Sequence, residues 1–128
     1  MTVLDNVLVG MIPHGRQAAV HAWFNARSNR DLIKKYREDA ERWIENVGLK
    51  DDLNRNARDL SFGQQKLLSM ARLFACGFEF LLLDEPTAGV SPQMIVKITA
   101  LIREAVDKRG VTVALVEHNM AVVADLAY

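Results

Sequence analysis

The sequence predicts an α/β protein in which a helical first half precedes a strand–helix–strand–helix unit. Three observations support this fold class. Apolar residues recur at helical spacing before residue 60, two short and almost wholly apolar runs follow, and a helical stretch separates those runs. Two buried strands joined by one helix should lie parallel with a right-handed crossover.

The helical half, residues 1–60, contains three predicted helices. Thr2 can cap a short first helix, and residues 16–27 are a weaker candidate for the second. Ser28 has an acidic residue three positions later, which resembles the capping box at the start of a third helix. Gly48 ends that third helix. A polar connector then leads to residue 60.

Residues 61–128 are predicted to alternate between helices and strands. Ser61 opens a helix, and residues 78–84 form an apolar run that should be a strand buried on both faces. Ser91 is followed by proline and caps the next helix, after which residues 111–117 form a second buried strand. A parallel sheet of two strands is too small to be stable alone, so both edges need neighbours that these residues do not supply.

The composition limits the class of protein. Half of the 128 residues are hydrophobic and a quarter are charged, as in a soluble globular domain. Sixteen basic residues balance sixteen acidic ones, so no basic excess indicates a nucleic-acid partner. The only cysteine, Cys76, excludes an internal disulfide, and no apolar run approaches the ~18 residues of a membrane span. The start of the sequence does not resemble a secretory signal, so we expect a cytoplasmic protein.

The start of the helix at Ser61 has two interpretations. Ser61 followed three residues later by Gln64 fits a plain capping box, which is a common feature. A serine cap with Gly63 in the first turn also aims backbone N–H groups outward, and such a helix end attracts anions. Taken alone, this stretch favours the capping box.

Ionisable side chains follow each predicted strand. Asp84 suits a hard cation such as Mg²⁺, usually through water, and Glu85 suits a base or water-orienting group in phosphoryl transfer. His118 follows the second strand and should emerge at the same edge of the sheet. Each group also has an ordinary explanation, because loops are commonly acidic and a lone histidine is usually only solvated.

Together, these stretches resemble the ABC ATPase cassette in their order and separation. Residues 60–64 are similar to the LSGGQ signature, with Phe62 at a position that varies in the family. Residues 80–84 resemble the Walker B strand, and Glu85 lies where the family has its catalytic glutamate. His118 matches the switch histidine. The resemblance covers nearly the whole chain, since the helical first half also resembles the helical subdomain of the family.

This resemblance implies a partial P-loop NTPase (ABC ATPase) fold that lacks the Walker A strand. Residues 1–60 would be the helical subdomain, and residues 61–128 the signature helix with the Walker B, D-loop and H-loop part of the core. Two such subunits close head to tail over two ATP molecules. Ser61, the Gly63 amide and Gln64 would contact the ATP held by the second subunit.

The resemblance also implies the roles of the strand-end residues. Asp84 would help to hold Mg²⁺, Glu85 would polarise the attacking water, and His118 would contact the γ-phosphate. Residues 87–92 occupy the place of the D-loop. There Ser91 stands instead of the aspartate that is commonest in the family, and we leave it out of the site because helix capping suffices to explain it.

The family type and cellular location follow from the same resemblance. Residues 2–10, 61–65 and 116–120 are most similar to importers of branched-chain amino acids. The implied protein hydrolyses ATP beneath transmembrane permease subunits, at the inner face of the cell membrane.

One part of the family pattern does not occur in these 128 residues. They contain no Gly-x-x-x-x-Gly-Lys-Ser/Thr sequence, the loop that holds the β- and γ-phosphates. We therefore expect a truncated cassette, with negligible ATP binding and turnover by these residues alone. Open strand edges recruit other strands, so we also expect self-association.

Two alternatives stay open at this point. The chain could be a non-catalytic interaction protein derived from such an ATPase. It could also be half of a split ATPase head of the chromosome-maintenance type, but those heads follow long coiled coils. No sustained heptads precede Ser61, which disfavours the second alternative.

Overall fold

The structure, a computed structural model, describes residues 1–11 and 30–127. The helices in this part of the chain are α1 (Val3–Met11), α2 (Arg30–Asn46), α3 (Phe62–Ala75), α4 (Pro92–Arg109) and α5 (Met120–Leu126). The strands are β1 (Phe80–Asp84) and β2 (Thr112–Val116), and short 3₁₀ turns cover Lys50–Asp52 and Ala57–Asp59. The predicted helix at residues 16–27 and the predicted cap at Ser28 lie outside the described residues.

Local signals in the sequence set several helix ends. Thr2 N donates to Asp5 Oδ2 and Asp5 N donates to Thr2 Oγ1, both at 3.1 Å, which makes the predicted cap of α1 a reciprocal one. Gly110 ends α4 with a φ of 67°, a conformation that glycine adopts without a Cβ clash. Ser91 occupies the predicted cap position of α4, but its side chain makes no capping hydrogen bond. Pro92 fixes the start of this helix through its ring.

The two strands form the predicted parallel pair, with α4 as the crossover. The register aligns Phe80 with Thr112 at one end and Asp84 with Val116 at the other. Because the strands are parallel, their carboxyl ends share one edge of the sheet. The loops that follow β1 and β2 therefore start side by side.

The prediction that β1 is buried on both faces is wrong for the described structure, and so is the prediction that β2 is a buried strand, since none of its residues is fully buried. Leu81 and Leu83 are buried, whereas Phe80 and Leu82 are 61% and 67% exposed. Side chains alternate between the two faces of a strand, so only one face of β1 joins the core. The helices of residues 1–11 and 30–127 cover that face and leave the other open.

A continuous hydrophobic core joins the helical half to the strands. The rings of Trp43 in α2 and Phe74 in α3 stack at 5.8 Å between centroids. The same core includes side chains from α1, α4 and β1, such as Val7, Ile98 and Leu81. Helix α3 packs against α1, α2 and α4, and so fixes the signature region relative to the sheet. The division of the chain at residue 60 stays a prediction.

Truncation of Ile98 tests this packing. Its side chain has no exposed surface, so we expect Ile98→Ala to lower the free energy of unfolding by about 3 kcal/mol through lost burial and the cavity left behind. Val96→Ala changes an exposed side chain of the same helix and should alter stability by at most ~0.5 kcal/mol. Urea denaturation followed by circular dichroism measures both values. Equal losses in the two variants would contradict the observed burial of α4.

Candidate functional site

The ends of the two strands bring Glu85 and His118 together. His118 Nε2 lies 3.0 Å from Glu85 Oε1. Glu85 N donates to Val116 O at 2.8 Å, so the strand pairing continues one residue beyond β1. The side chains of Glu85 and His118 are 44% and 84% exposed, and both can therefore reach a bound ligand. Their catalytic roles stay predictions, but their proximity is as expected from the parallel strands.

Glu85 has an unusual backbone conformation. Its φ is 45°, the only positive φ of a non-glycine residue in the part of the chain that the structure describes. A side chain with a Cβ rarely adopts this conformation unless its surroundings fix it. Ala88 N donates to Glu85 O at 3.2 Å, and Lys66 Nζ donates to the same oxygen at 2.9 Å and to Pro86 O at 3.1 Å. These bonds hold the turn that presents the Glu85 carboxylate.

Glu117 ties the loop after β1 to the loop after β2. Its Oε1 accepts from Thr87 N at 3.1 Å and from the Thr87 hydroxyl, and its Oε2 accepts from His118 N at 2.9 Å and Asn119 N at 3.3 Å. Burial acts to raise the pKa of Glu117, but these hydrogen bonds outweigh it and leave the pKa below its usual range. An ionised Glu117 therefore fixes the backbone next to His118.

Asp84 is the last residue of β1 and lies on the exposed face of that strand. Mg²⁺ usually keeps several waters and takes one or two carboxylates together with substrate phosphates. Within residues 1–11 and 30–127 there is no cluster of three or more acidic, histidine or cysteine side chains that could hold a metal ion. The assignment of Asp84 to Mg²⁺ therefore stays a prediction, in which most metal ligands would be phosphate and water.

The predicted signature residues form the start of α3. Ser61 Oγ accepts from Gln64 N at 3.3 Å, and Gln64 Oε1 accepts from Ser61 N at 3.0 Å, a complete capping box. Gln64 Nε2 also donates to Asp52 Oδ2 at 3.3 Å. The side chains of Ser61 and Gln64 thus fix the helix start. The first N–H groups of an α-helix have no partner within the helix, and the role of the Gly63 amide as an anion donor stays a prediction.

Two glycines let this helix start approach its neighbours. A Cβ on Gly63 would lie 2.9 Å from Met94 Cε, so a larger residue there would have to displace the end of the Met94 side chain. A Cβ on Gly89 would lie 3.3 Å from Phe62 Cε1, and Gly89 has a φ of 73°. Phe62 therefore rests on the loop that follows β1. The signature region and the strand-end loop are in direct contact.

Lys66 and Glu117 were not predicted as functional residues from the sequence. A lysine inside a helix, or a glutamate after a strand, is usually solvated and gives no signal by itself. The carbonyls that Lys66 binds and the Thr87 that Glu117 binds lie 19 to 30 residues away along the chain and are brought close only by the fold. No helix in the described ranges is long and apolar enough to cross a membrane.

Comparisons with a family model and with individual proteins agree on one family. A family model described as ABC transporter matches residues 1–88. The high-affinity branched-chain amino acid transport ATP-binding protein BraF of Pseudomonas aeruginosa is 34% identical over 127 residues, which are 99% of this chain and 50% of BraF. The corresponding protein LivG of Escherichia coli K12 is 32% identical with the same coverage. The chain spans about half the length of the curated relatives it matches.

Solved structures show the same fold. The ADP conformation of an ATP-binding cassette of an ABC transporter aligns with a TM-score of 0.72 and 29% identity, over 98% of this chain and 48% of that one. A dimeric bacterial ABC transporter cassette aligns with a TM-score of 0.75 and 24% identity, over 98% of this chain and 49% of that one. The predicted partial α/β fold is thereby confirmed.

The hydrogen bonds to Glu117 can be tested through its pKa. Thr87→Val removes the hydroxyl donor and should raise the pKa of Glu117 toward its usual range, as measured by NMR titration of the carboxyl carbon. Thr99→Val is a matched control, because the Thr99 hydroxyl bonds only within α4, to Val96 O. A pKa of Glu117 that does not change in Thr87→Val would contradict the proposed cause.

The lowered pKa of Glu117 also predicts how the free energy of unfolding depends on pH. Because the pKa of Glu117 is lower in the folded state, its ionised form stabilises the fold above the unfolded-state value of about 4.3. This contribution is lost as the pH falls through the folded-state pKa. In Thr87→Val, the acid-induced loss of unfolding free energy should therefore be smaller than in the parent chain.

Proposed function

The chain belongs to the ABC transporter family, and on this premise we propose that it forms the signature, Walker B and switch-histidine part of an ATP-hydrolysing subunit. The observation that carries the proposal is the pair of Glu85 and His118, 3.0 Å apart beside Asp84. A water-orienting carboxylate and a second carboxylate for Mg²⁺ are groups that phosphoryl transfer uses, and an imidazole N–H can donate to a phosphate oxygen. They lie at the carboxyl edge of a parallel sheet, where ligands bind in α/β proteins.

In the proposed mechanism, Glu85 orients the attacking water and accepts its proton. His118 Nε2 lies within contact distance of one carboxylate oxygen of Glu85, and we propose that its ring contacts the γ-phosphate of ATP. Asp84 would hold the metal through water. Mg²⁺, when bound with ATP, offsets charge on the phosphates. The phosphate-binding loop must come from a region other than these 128 residues, since they contain no such sequence.

We assign the start of α3 to a second nucleotide. The capping box fixes Ser61 and Gln64, so the first-turn amides, including that of Gly63, are the donors for a phosphate. The family arrangement places that phosphate on a second ATP-binding subunit in a head-to-tail dimer. One chain would therefore serve two nucleotides, one through the strand ends and one through α3.

The solute and the membrane partners are proposed from the relatives. BraF and LivG are named as branched-chain amino acid transport ATP-binding proteins, and we propose the same solute class for the transporter of this chain. The subunit would bind transmembrane permease subunits at the inner face of the cell membrane. The balance of sixteen basic and sixteen acidic residues supports a function without nucleic acid.

A joined cassette tests the proposed function. In this fusion, the segment of BraF that precedes its matched region is placed ahead of Met1. We expect the joined cassette to hydrolyse ATP, whereas the 128 residues alone should show no MgATP binding in isothermal titration. Glu85→Gln should lower kcat at least about 100-fold with ATP binding retained, because it removes the general base.

Glu79→Gln is the matched control for this experiment. Glu79 is exposed and precedes β1 at the edge of the sheet opposite Glu85, so its substitution should leave kcat unchanged. Micromolar binding of MgATP to the 128 residues alone would contradict the proposal that the phosphate-binding loop comes from another region. Hydrolysis that survives Glu85→Gln would contradict the proposed role of Glu85 as general base. Absence of hydrolysis by the joined cassette with the parent sequence would favour the non-catalytic interaction protein.

We further propose that the 128-residue chain self-associates through the open face and unpaired edges of its sheet. Phe80 and Leu82 form an apolar surface on β1 that the described residues leave uncovered. Leu82→Lys should therefore shift the mass measured by light scattering toward the monomer. Val96→Lys changes an equally exposed apolar side chain on α4 and should leave association unaffected. A monodisperse monomer of the parent chain at micromolar concentration would contradict this proposal.

A further inference from the structure

Lys66 connects α3 to the turn that carries Glu85. It lies just past the first turn of the helix and is partly buried. Its Nζ donates to Glu85 O at 2.9 Å and to Pro86 O at 3.1 Å, although these residues lie 19 and 20 positions away. The ammonium also lies 6.0 Å from the ring centroid of Phe62. Lys66 therefore contacts both the signature region and the loop after β1.

The partners of Lys66 are unusual for a lysine at a protein surface. An ammonium group commonly pairs with a carboxylate or extends into water. Within residues 1–11 and 30–127, Lys66 forms no ion pair, and two of its three N–H donors bind backbone carbonyls. Hydrogen bonds from a charged donor are shorter and stronger than those between neutral groups. The ammonium is thus used to hold a particular backbone conformation.

That conformation is the left-handed turn at Glu85, whose φ is 45°. A non-glycine residue keeps such a φ only where neighbouring groups determine it. Val116 O fixes the N–H of Glu85, while Lys66 Nζ and Ala88 N fix its carbonyl. Without the ammonium, the carbonyl of Glu85 would lose its hydrogen bond from a charged donor and, among the described residues, keep only the one from Ala88 N.

We propose that Lys66 is a positioning residue that holds the Glu85 carboxylate against His118. The proposal rests on the function proposed above for Glu85. Because Lys66 lies on the helix that begins at Ser61, it also links the helix start assigned to one nucleotide with the glutamate that acts on the other. Loss of Lys66 should therefore impair the chemical step more than the binding of ATP.

The geometric part of this proposal can be tested in the 128-residue chain itself. The ¹⁵N chemical shift of His118 Nε2 reports its contact with Glu85, and Glu85→Gln provides the value for a lost carboxylate contact. We expect Lys66→Met to move the shift toward that value and Lys66→Arg to restore it. Lys35→Met, at an exposed position of α2, removes the same charge and should have no effect. A parent-like shift in Lys66→Met would overturn the proposal.

The kinetic part uses the joined cassette. Lys66→Met should lower kcat by about ten- to hundredfold, as expected when a catalytic group is misplaced by ~1 Å, with little change in KM for ATP. Lys66→Arg should recover most of the activity. Thermal melting separates this effect from loss of the fold, and Lys66→Gln, which keeps a shorter donor, replaces Lys66→Met if the latter does not fold.

Comparison of the Glu85 and Lys66 variants separates the proposed role of Glu85 from the proposed role of Lys66. If Glu85→Gln does not lower kcat, the proposed function fails, and the role of Lys66 fails with it. If Glu85→Gln lowers kcat while Lys66→Met keeps the parent kcat, only the role of Lys66 is wrong. A fall in kcat for Lys66→Met that Lys66→Arg reverses, with the melting temperature unchanged, supports positioning.

Discussion

Parallel pairing of β1 with β2 places the two loops that carry the site side by side. The register aligns Asp84 with Val116, and the hydrogen bond from Glu85 N to Val116 O extends the pairing into the loop. A slip of one residue would turn every side chain of β1 to the opposite face of the sheet. Leu83 would then leave the core, and Glu85 would move away from His118. Burial of alternate side chains of β1 therefore fixes both the fold and the site.

The sheet alone does not determine the conformation of the loops. A non-glycine residue with a left-handed φ costs on the order of 1–3 kcal/mol. One or two hydrogen bonds to a charged group, at about 1.5–3 kcal/mol each, can offset that cost. Lys66 supplies such bonds to the turn at Glu85, and Glu117 joins Thr87 to the backbone of His118. Two charged side chains thus stabilise the exposed groups that the proposed chemistry uses.

Local patterns allowed the order of elements and the parallel pairing to be predicted, and the proximity of His118 to Glu85 followed from that pairing. The open face of β1 was not predicted, because a continuous apolar run indicates burial on both sides whether or not nearby elements cover it. Lys66 and Glu117 gave no signal, since each looks like an ordinary solvated charge. Glu85 and Pro86, which Lys66 binds, and Thr87, which Glu117 binds, are distant in sequence from these two residues and become their neighbours only through the packing of α3 and the sheet.

Pairing of β1 with β2 places Glu85 and His118 side by side, and we propose that they act together in one reaction centre. A double-mutant cycle on kcat in the joined cassette tests this claim most directly. Glu85→Gln and His118→Ala should each lower kcat, and the double variant should lose about as much as the more damaging single one, because groups that act together have strongly non-additive effects. Losses that multiply in the double variant would show that the two side chains act independently, and would contradict this account.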